Sequence, residues 1–207
     1  MVDTGVGRLL AFTDGVFAIA ITLLVLNVEI PGNLSDADYV RALHEVLPTL
    51  GAAALSFVII GRFWMSHHRL FSYIRRVDQR LLQRNLWFLG PVVLLPFSTQ
   101  LLASYGDTPS AVIIYAVTIA AAGLFEEALW VYAVRRRRLV HQALARSVIV
   151  SGLVRYGWPV IVFAASIPIA LVSPTAAEYS WIALILPVWV FDRLRAGRSV
   201  APRTTTP

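Results

Sequence analysis

The chain has 207 residues, of which 57% are hydrophobic and only 14% are charged, and it contains no cysteine. Soluble domains carry about a quarter charged residues. Here the charges stand in blocks between long apolar runs, which is typical of a protein that crosses the membrane several times. The missing cysteines exclude disulfides and thiolate chemistry. The net charge of +6 comes from arginines that flank the apolar runs, so we expect lipid, and no nucleic acid, beside them.

Six apolar runs are long enough to span a bilayer, because a helix needs about 20 residues to cross about 30 Å of hydrocarbon. The sequence therefore predicts an all-α integral membrane protein with six transmembrane helices, at about residues 8–30, 46–68, 81–104, 110–134, 148–172 and 177–194. We expect residues 1–194 to form one six-span domain. Residues 195–207 are polar and rich in Pro, Arg and Thr, which predicts a disordered tail.

The arginines predict the orientation of the spans. All 18 basic residues are arginines, and Arg41 alone falls outside when the N-terminus is placed inside. Because basic residues concentrate in cytoplasmic loops, we predict that both termini are cytoplasmic. The first span lacks a small-residue cleavage site, so we expect no removable signal peptide there.

The first span carries an apolar stripe on one helical face. At about 100° per residue, its members lie within about 40° of Ile19, and they are Phe12, Ile19, Leu23, Leu26 and Ile30. Thr22 falls beside the stripe, whereas Asp14 faces elsewhere. Packing against other helices is the simpler interpretation of such a stripe.

Two charged residues near the start of this span need partners. Arg8 and Asp14 are not i, i+4 neighbours, so they do not pair on one helix, and an unpaired charge near a bilayer is costly. His67 and His68 end the second span at the same predicted depth. A cluster of Arg8, Asp14 and His67 at the inner end is one interpretation, and separate snorkelling of each group to the interface is the other.

The remaining candidate residues do not indicate that the protein is an enzyme. Glu126 and Glu127 in the fourth span are functional candidates because intramembrane carboxylates are rare, although pairing with arginine explains them equally well. The chain has no Walker A loop, GxSxG or HExxH motif, so we expect neither catalysis nor a cofactor. The adjacent histidines point about 100° apart on a helix, and we expect no metal site.

The stretch RLLAFTDGVFAIAITLLVL resembles the first-span signature of the transmembrane protein 175 family of lysosomal and prokaryotic potassium channels. That signature is Arg, three residues, Phe-Ser-Asp and a long apolar helix. Arg8, Phe12 and Asp14 match it, and Thr13 stands where Ser is usual. The stretch WMSHHRLF is similar to the family's end of the second span, with His67 at the matching position.

The resemblance implies a potassium-selective leak channel without a carbonyl filter, in a prokaryotic plasma membrane. Four identical subunits would each lend their first helix to a central pore. Ile19 would form the narrowest constriction, which Leu23 and Leu26 would extend outward, and Thr22 would add a hydroxyl layer. An inner structural network would tie the first two spans together, and its members would be Arg8, Phe12, Asp14 and His67.

A secondary transporter or a proton-permeable protein that uses Glu126, Glu127 or Asp14 is the alternative. Transporters usually show internal repeats and interrupted helices at the midplane. This sequence shows no internal repeat, and its first span has no proline. Both features favour the channel.

Overall fold

The computed structural model of the protein describes residues 4–28, 30–33, 35–136, 138–140 and 144–185. These residues form five long helices, α1 (Thr4–Leu23), α2 (Asp36–Phe71), α3 (Gln79–Tyr105), α4 (Pro109–Arg135) and α5 (Arg146–Val172). A short helix α6 (Pro174–Ser180) and a 3-10 turn (Trp181–Ile185) follow. All five long helices are long and apolar enough to cross a membrane.

These five helices confirm the prediction of an all-α membrane protein. The sixth predicted span, 177–194, begins in α6 and the 3-10 turn. Its residues beyond 185 and the predicted tail, 195–207, lie outside the described residues. The sixth transmembrane helix, the cytoplasmic termini and the four-chain assembly therefore stay predictions.

The start of α2 differs from the prediction. The second span was expected to begin at residue 46, but α2 begins at Asp36. The Ser35 side chain accepts a hydrogen bond from the Asp38 N–H (3.3 Å), and the acidic residues of the first turn favour a helix N-terminus. Because this part of the helix is polar, a search for apolar runs could not detect it.

The end of α1 also differs from the prediction. The first span was expected to reach residue 30, whereas the α-helix ends at Leu23 and residues Val25–Asn27 form a 3-10 turn. The Val28 N–H bonds the carbonyl of Val25 (3.1 Å), which is the tighter hydrogen bonding common at helix ends. The apolar residues continue past the point where the regular helix ends. A prediction based on apolar composition therefore overestimates the length of this helix.

The helices pack so that α1 lies at one side of the bundle. The most extensive packing joins α4 to α5 and α3 to α4, while α1 packs chiefly against α3 and α2. Gly152 allows the close approach of α4 and α5, because a Cβ at this position would collide with the indole of Trp130. One face of α1 is consequently left open.

The loops at the predicted inner end are tied together. The Arg75 N–H donates to the carbonyl of Leu139 (2.7 Å), and the Asp78 carboxylate accepts from the Leu81 N–H (2.9 Å) and the Tyr132 hydroxyl (2.9 Å). Burial alone would raise the pKa of Asp78, but these hydrogen bonds and one from Arg138 favour the charged form and lower its pKa. The contacts hold the segments that follow α2 and α4 beside each other.

The predicted orientation can be tested with single cysteines, since the chain has none of its own. We expect cysteine at Thr108 to react with a membrane-impermeant maleimide applied to intact cells. Cysteine at Ser72 should react only after permeabilisation, because the loop after α2 lies among the arginines of the inner side. Labelling of the Ser72 variant in intact cells would reverse the orientation.

Candidate functional site

The open face of α1 carries the predicted apolar stripe. In the single chain the exposed fractions are 56% for Phe12, 61% for Ile19, 38% for Leu23 and 66% for Leu26. The opposite face packs into the bundle through buried side chains, which include Leu9, Thr13, Phe17, Ala20 and Leu24. A helix that exposes large apolar side chains along one line, while its other face is buried, presents that line to lipid or to another protein surface.

Thr22 lies on the open face and is exposed. Its hydroxyl donates a hydrogen bond to the carbonyl of Ile19 (2.9 Å). A hydroxyl has one hydrogen to donate and two lone pairs that accept. The bond to the backbone therefore satisfies the donor and leaves the oxygen available to a cation or a water molecule.

The buried face of α1 is held by a polar network that joins three helices. Asn85 of α3 donates through Nδ2 to Oγ1 of Thr13 on α1 (2.9 Å). Its Oδ1 accepts from Nε2 of His67 on α2 (2.8 Å). All three side chains are buried. Because water cannot reach these polar groups, the hydrogen bonds within the network satisfy them instead. Asn85 thus fixes α1 against both α2 and α3.

Aromatic rings surround the histidine of this network. The His67 ring stacks on Phe71, with centroids 4.4 Å apart, and on Phe88, with centroids 5.4 Å apart. Phe17 of α1 packs against both His67 and Phe88. The rings leave His67 little rotational freedom and so hold its Nε2 toward Asn85.

Within one chain, Asp14 and His67 of the predicted cluster with Arg8 have different hydrogen-bond partners. Asp14 accepts a hydrogen bond from Nε1 of Trp64 on α2 (2.9 Å), whereas His67 bonds Asn85. Arg8 is exposed. Within one chain, α1 and α2 are joined through Trp64 and Asn85, neither of which had been predicted, and the network of Arg8, Phe12, Asp14 and His67 stays a prediction.

Asn85 carries a signal that was available in the sequence. It is a polar residue at the start of the apolar run of the third span, and polar side chains in such helices commonly hydrogen-bond to neighbouring helices. Trp64 carries no comparable signal, because tryptophan near a span end is usual at the membrane interface.

The two acidic residues of α4 differ in their surroundings. Glu126 is buried and accepts a hydrogen bond from the Ser66 hydroxyl (2.6 Å). Glu127 is half-buried and lies close to Gly157 of α5. Both residues belong to α4, whereas α1 packs chiefly against α3 and α2. Within the described ranges, no group of three or more His, Asp or Glu side chains could hold a metal ion.

Comparison with known proteins assigns the chain to a family. The family model of the endosomal/lysosomal potassium channel TMEM175 matches residues 8–96. A potassium channel of Chamaesiphon minutus is 38% identical over 145 residues, which cover 68% of this chain and 71% of that protein. The chain belongs to the TMEM175 family. The matched residues hold the open face of α1 and the network of Thr13, His67 and Asn85.

A further relative of this TMEM175 family member and a solved structure agree. A potassium channel of Streptomyces collinus is 40% identical over 137 residues, which cover 64% of this chain and 66% of that protein. The chain thus matches about two thirds of the length of these curated relatives. The crystal structure of a lysosomal potassium-selective channel TMEM175 homolog from Chamaesiphon minutus has a TM-score of 0.77 and 28% identity, covering 96% of this chain and 100% of that one.

The TMEM175 family consists of membrane ion channels and not of enzymes. Five apolar helices in this member make it a multi-pass membrane protein, as the sequence predicted.

Proposed function

We propose that this protein is a potassium channel whose pore is lined by the open face of α1 from four identical chains. The observation that carries the proposal is the line of exposed apolar side chains on α1, opposite a buried face. Its relatives in Streptomyces and Chamaesiphon are named potassium channels. We place the channel in a prokaryotic plasma membrane, where potassium ions and lipid are its partners.

Assembly follows from the number of pore helices in one chain. A single α1 cannot enclose a pore, and identical copies around a symmetry axis can. Ala11, Gly15 and Ala18 are exposed beside the apolar stripe, and a Cβ at Gly15 would meet nothing within 4 Å. Small residues at such positions let a neighbouring helix approach closely.

Ile19 is the proposed constriction of this pore. It lies at the centre of the stripe, and its side chain offers no group that could replace the hydration shell of an ion. A ring of such side chains controls passage by its width and by expelling water. Leu23 and Leu26 continue the apolar wall toward the outer end.

Thr22 is the proposed source of oxygen ligands next to this ring. Its donor is occupied by the carbonyl of Ile19, so its lone pairs face away from the helix backbone. Four such oxygens around the axis would stabilise an ion, or the water that it carries, as it leaves the apolar ring.

A proton-coupled transporter that uses Glu126 is the second candidate. The burial of Glu126 and its hydrogen bond to Ser66 favour it, because buried carboxylates serve as proton relays in membrane proteins. Glu126 belongs to α4, however, and the chief neighbours of α1 are α3 and α2 rather than α4. The transporter would leave the exposed stripe of α1 without a function, and we therefore favour the channel.

Ion flux from vesicles distinguishes the two candidates. We expect the purified protein in liposomes to release potassium down its concentration gradient, and sodium more slowly, with no pH gradient applied. Protein-free liposomes are the control. Potassium movement that occurs only when a pH gradient is imposed would contradict the channel and support the transporter.

A further inference from the structure

A second candidate site lies at the predicted inner end of the bundle, where the loop after α2 meets the segment after α4. An isolated antiparallel bridge pairs Ile74 with Val140, and the carbonyl of Leu139 accepts from the N–H groups of Arg75 (2.7 Å) and Arg76 (3.3 Å). These backbone contacts bring together two arginine-rich stretches that are far apart in the sequence. The two stretches and the helix ends beside them form a basic surface, whose exposed arginines are Arg75, Arg76, Arg80, Arg135, Arg136 and Arg138.

This basic surface carries little negative charge. Asp78 is the one acidic residue in stretches 69–84 and 128–146 of the sequence. Its carboxylate already accepts hydrogen bonds from the Tyr132 hydroxyl (2.9 Å) and from Arg138 (3.5 Å). Among the described residues, the other arginines of the surface form no salt bridge. The surface is therefore complementary to an anion.

Arg84 of α3 lies beside this surface and is held in place by an aromatic ring. Its guanidinium carbon is 4.6 Å from the centroid of the Tyr132 ring, and that of Arg136 is 6.0 Å from the same centroid. Both distances are within the range of a cation–π interaction. The two guanidinium groups thus lie on or near one ring, whose hydroxyl is fixed by the Asp78 carboxylate.

The hydrogen-bonding capacity of Arg84 is unused within the described part of the chain. Its Nε is buried and has no hydrogen-bond partner, which is rare for a buried polar atom. The terminal nitrogens carry four further N–H donors. The ring of Tyr132 attracts the cation, but it supplies neither a negative charge nor an oxygen acceptor for these donors.

The depth of Arg84 indicates which anion can reach it. At 1.5 Å per residue α3 is about 40 Å long, which exceeds the hydrocarbon thickness by about 10 Å. When α3 is centred in the bilayer, about 5 Å of each end lies among the headgroups. Arg84 is about 7.5 Å from the start of α3, and its long side chain can extend toward the headgroups. Its guanidinium therefore lies at the depth of lipid phosphates.

We propose that Arg84 binds the phosphate group of an anionic phospholipid beside Tyr132, with Arg136 as a second positive charge. Guanidinium groups bind phosphate oxygens through paired, charge-assisted hydrogen bonds, and basic pockets between transmembrane helices suit acidic headgroups. Water could satisfy the donors of Arg84 but would leave the charge of the surface unbalanced, whereas a phosphate does both. A choline headgroup would bring a positive charge to the arginines, so the site discriminates against phosphatidylcholine.

Thermal unfolding of the full chain in an uncharged detergent tests this proposal without reference to ion flux. The site contains no residue of α1, so the result does not depend on the proposed pore. We expect added phosphatidylglycerol to raise the unfolding midpoint by several degrees, because a ligand that binds only the folded state stabilises it. Phosphatidylcholine with the same acyl chains should have little effect. A rise of equal size with both lipids would overturn the proposal.

Two variants locate the site, and each is measured with and without lipid so that its own stability does not enter the comparison. Arg84→Gln should weaken the apparent affinity for phosphatidylglycerol about tenfold or more, as expected for lost hydrogen bonds to a charged group. Arg136→Gln, at an exposed position, should weaken it less. Arg146→Gln removes an exposed arginine at the start of α5. It is the matched control and should leave the affinity unchanged.

Two outcomes of these measurements would contradict a lipid site at Arg84. An equal loss of affinity in Arg84→Gln and Arg146→Gln would mean that the lipid responds to the general positive charge of the inner side. Stabilisation by inorganic phosphate equal to that by phosphatidylglycerol would mean that the acyl chains contribute nothing and that the occupant is free phosphate.

Discussion

Ile19→Asn raises the potassium conductance of the reconstituted protein and weakens its preference for potassium over sodium. The side chain at this position is apolar and exposed, and in the proposed pore it keeps the constriction dry. An amide in its place holds water there, so that ions cross with their hydration shells. We expect the selectivity ratio to fall about tenfold, which corresponds to about 1.4 kcal/mol in the difference between the two ions.

The measurement is the reversal potential under bi-ionic conditions, together with the single-channel conductance. Ile19→Ala should act in the same direction but more weakly, because it widens the ring without making it polar. Phe12→Ala and Leu26→Ala should have smaller effects, since these residues lie farther along the stripe.

The matched control for Ile19 is Ile161 on α5. The exposed fractions of the two side chains are 61% and 60%, so neither substitution places an amide in the packed core of one chain. Ile21 is less suitable because it is half-buried against the core. If Ile19→Asn behaves as the unmodified protein does while Ile161→Asn changes conductance or selectivity, the pore stripe has been placed on the wrong helix.

The stripe on α1 could be predicted from the sequence because it depends only on helical periodicity. Once residues 8–23 form a helix, the positions of Phe12, Ile19 and Leu23 on one face follow from about 100° per residue. The structure adds which face of that helix is open, and it is the face that carries these residues.

The partners of the polar residues could not be predicted in the same way. The sequence indicated that Asp14 and His67 lie at similar depth, but depth does not determine which side chains meet. The rotation of α1 against α2 and α3 places Asp14 at Trp64 and Thr13 at Asn85. Such rotations depend on the packing of whole helix faces, and periodicity within one helix carries no information about them.

The second large effect concerns Thr13 and Thr22 of α1, and it distinguishes a change in stability from a change in conduction. Thr13→Val should lower the free energy of unfolding by about 1–2 kcal/mol, because it leaves the buried Nδ2 of Asn85 without an acceptor. The volume of the side chain hardly changes. Asn85→Leu should cost more, since Thr13 and His67 both lose their partner. The measurement is the unfolding transition of the purified protein in detergent.

Asp14→Asn should cost less than Asn85→Leu. The amide oxygen of asparagine can still accept the N–H of Trp64, so the hydrogen bond that joins α1 to α2 at this position survives. A loss as large as that of Asn85→Leu would mean that the negative charge of Asp14 has a further partner, as the predicted cluster with Arg8 requires.

Thr22→Val is the matched control for Thr13→Val, because it makes the same substitution on the same helix. Among the residues that the structure describes, the hydroxyl of Thr22 bonds the backbone of its own helix and no other group, so stability should be unchanged. In the proposed pore this variant loses the oxygen beside the Ile19 ring, and its preference for potassium should fall. Thr13→Val, which faces the bundle, should keep the selectivity of the unmodified channel. We propose that one face of α1 packs against the bundle and that the other lines the pore. This proposal fails if Thr22→Val destabilises the protein without altering selectivity, because Thr22 would then be a packing residue like Thr13.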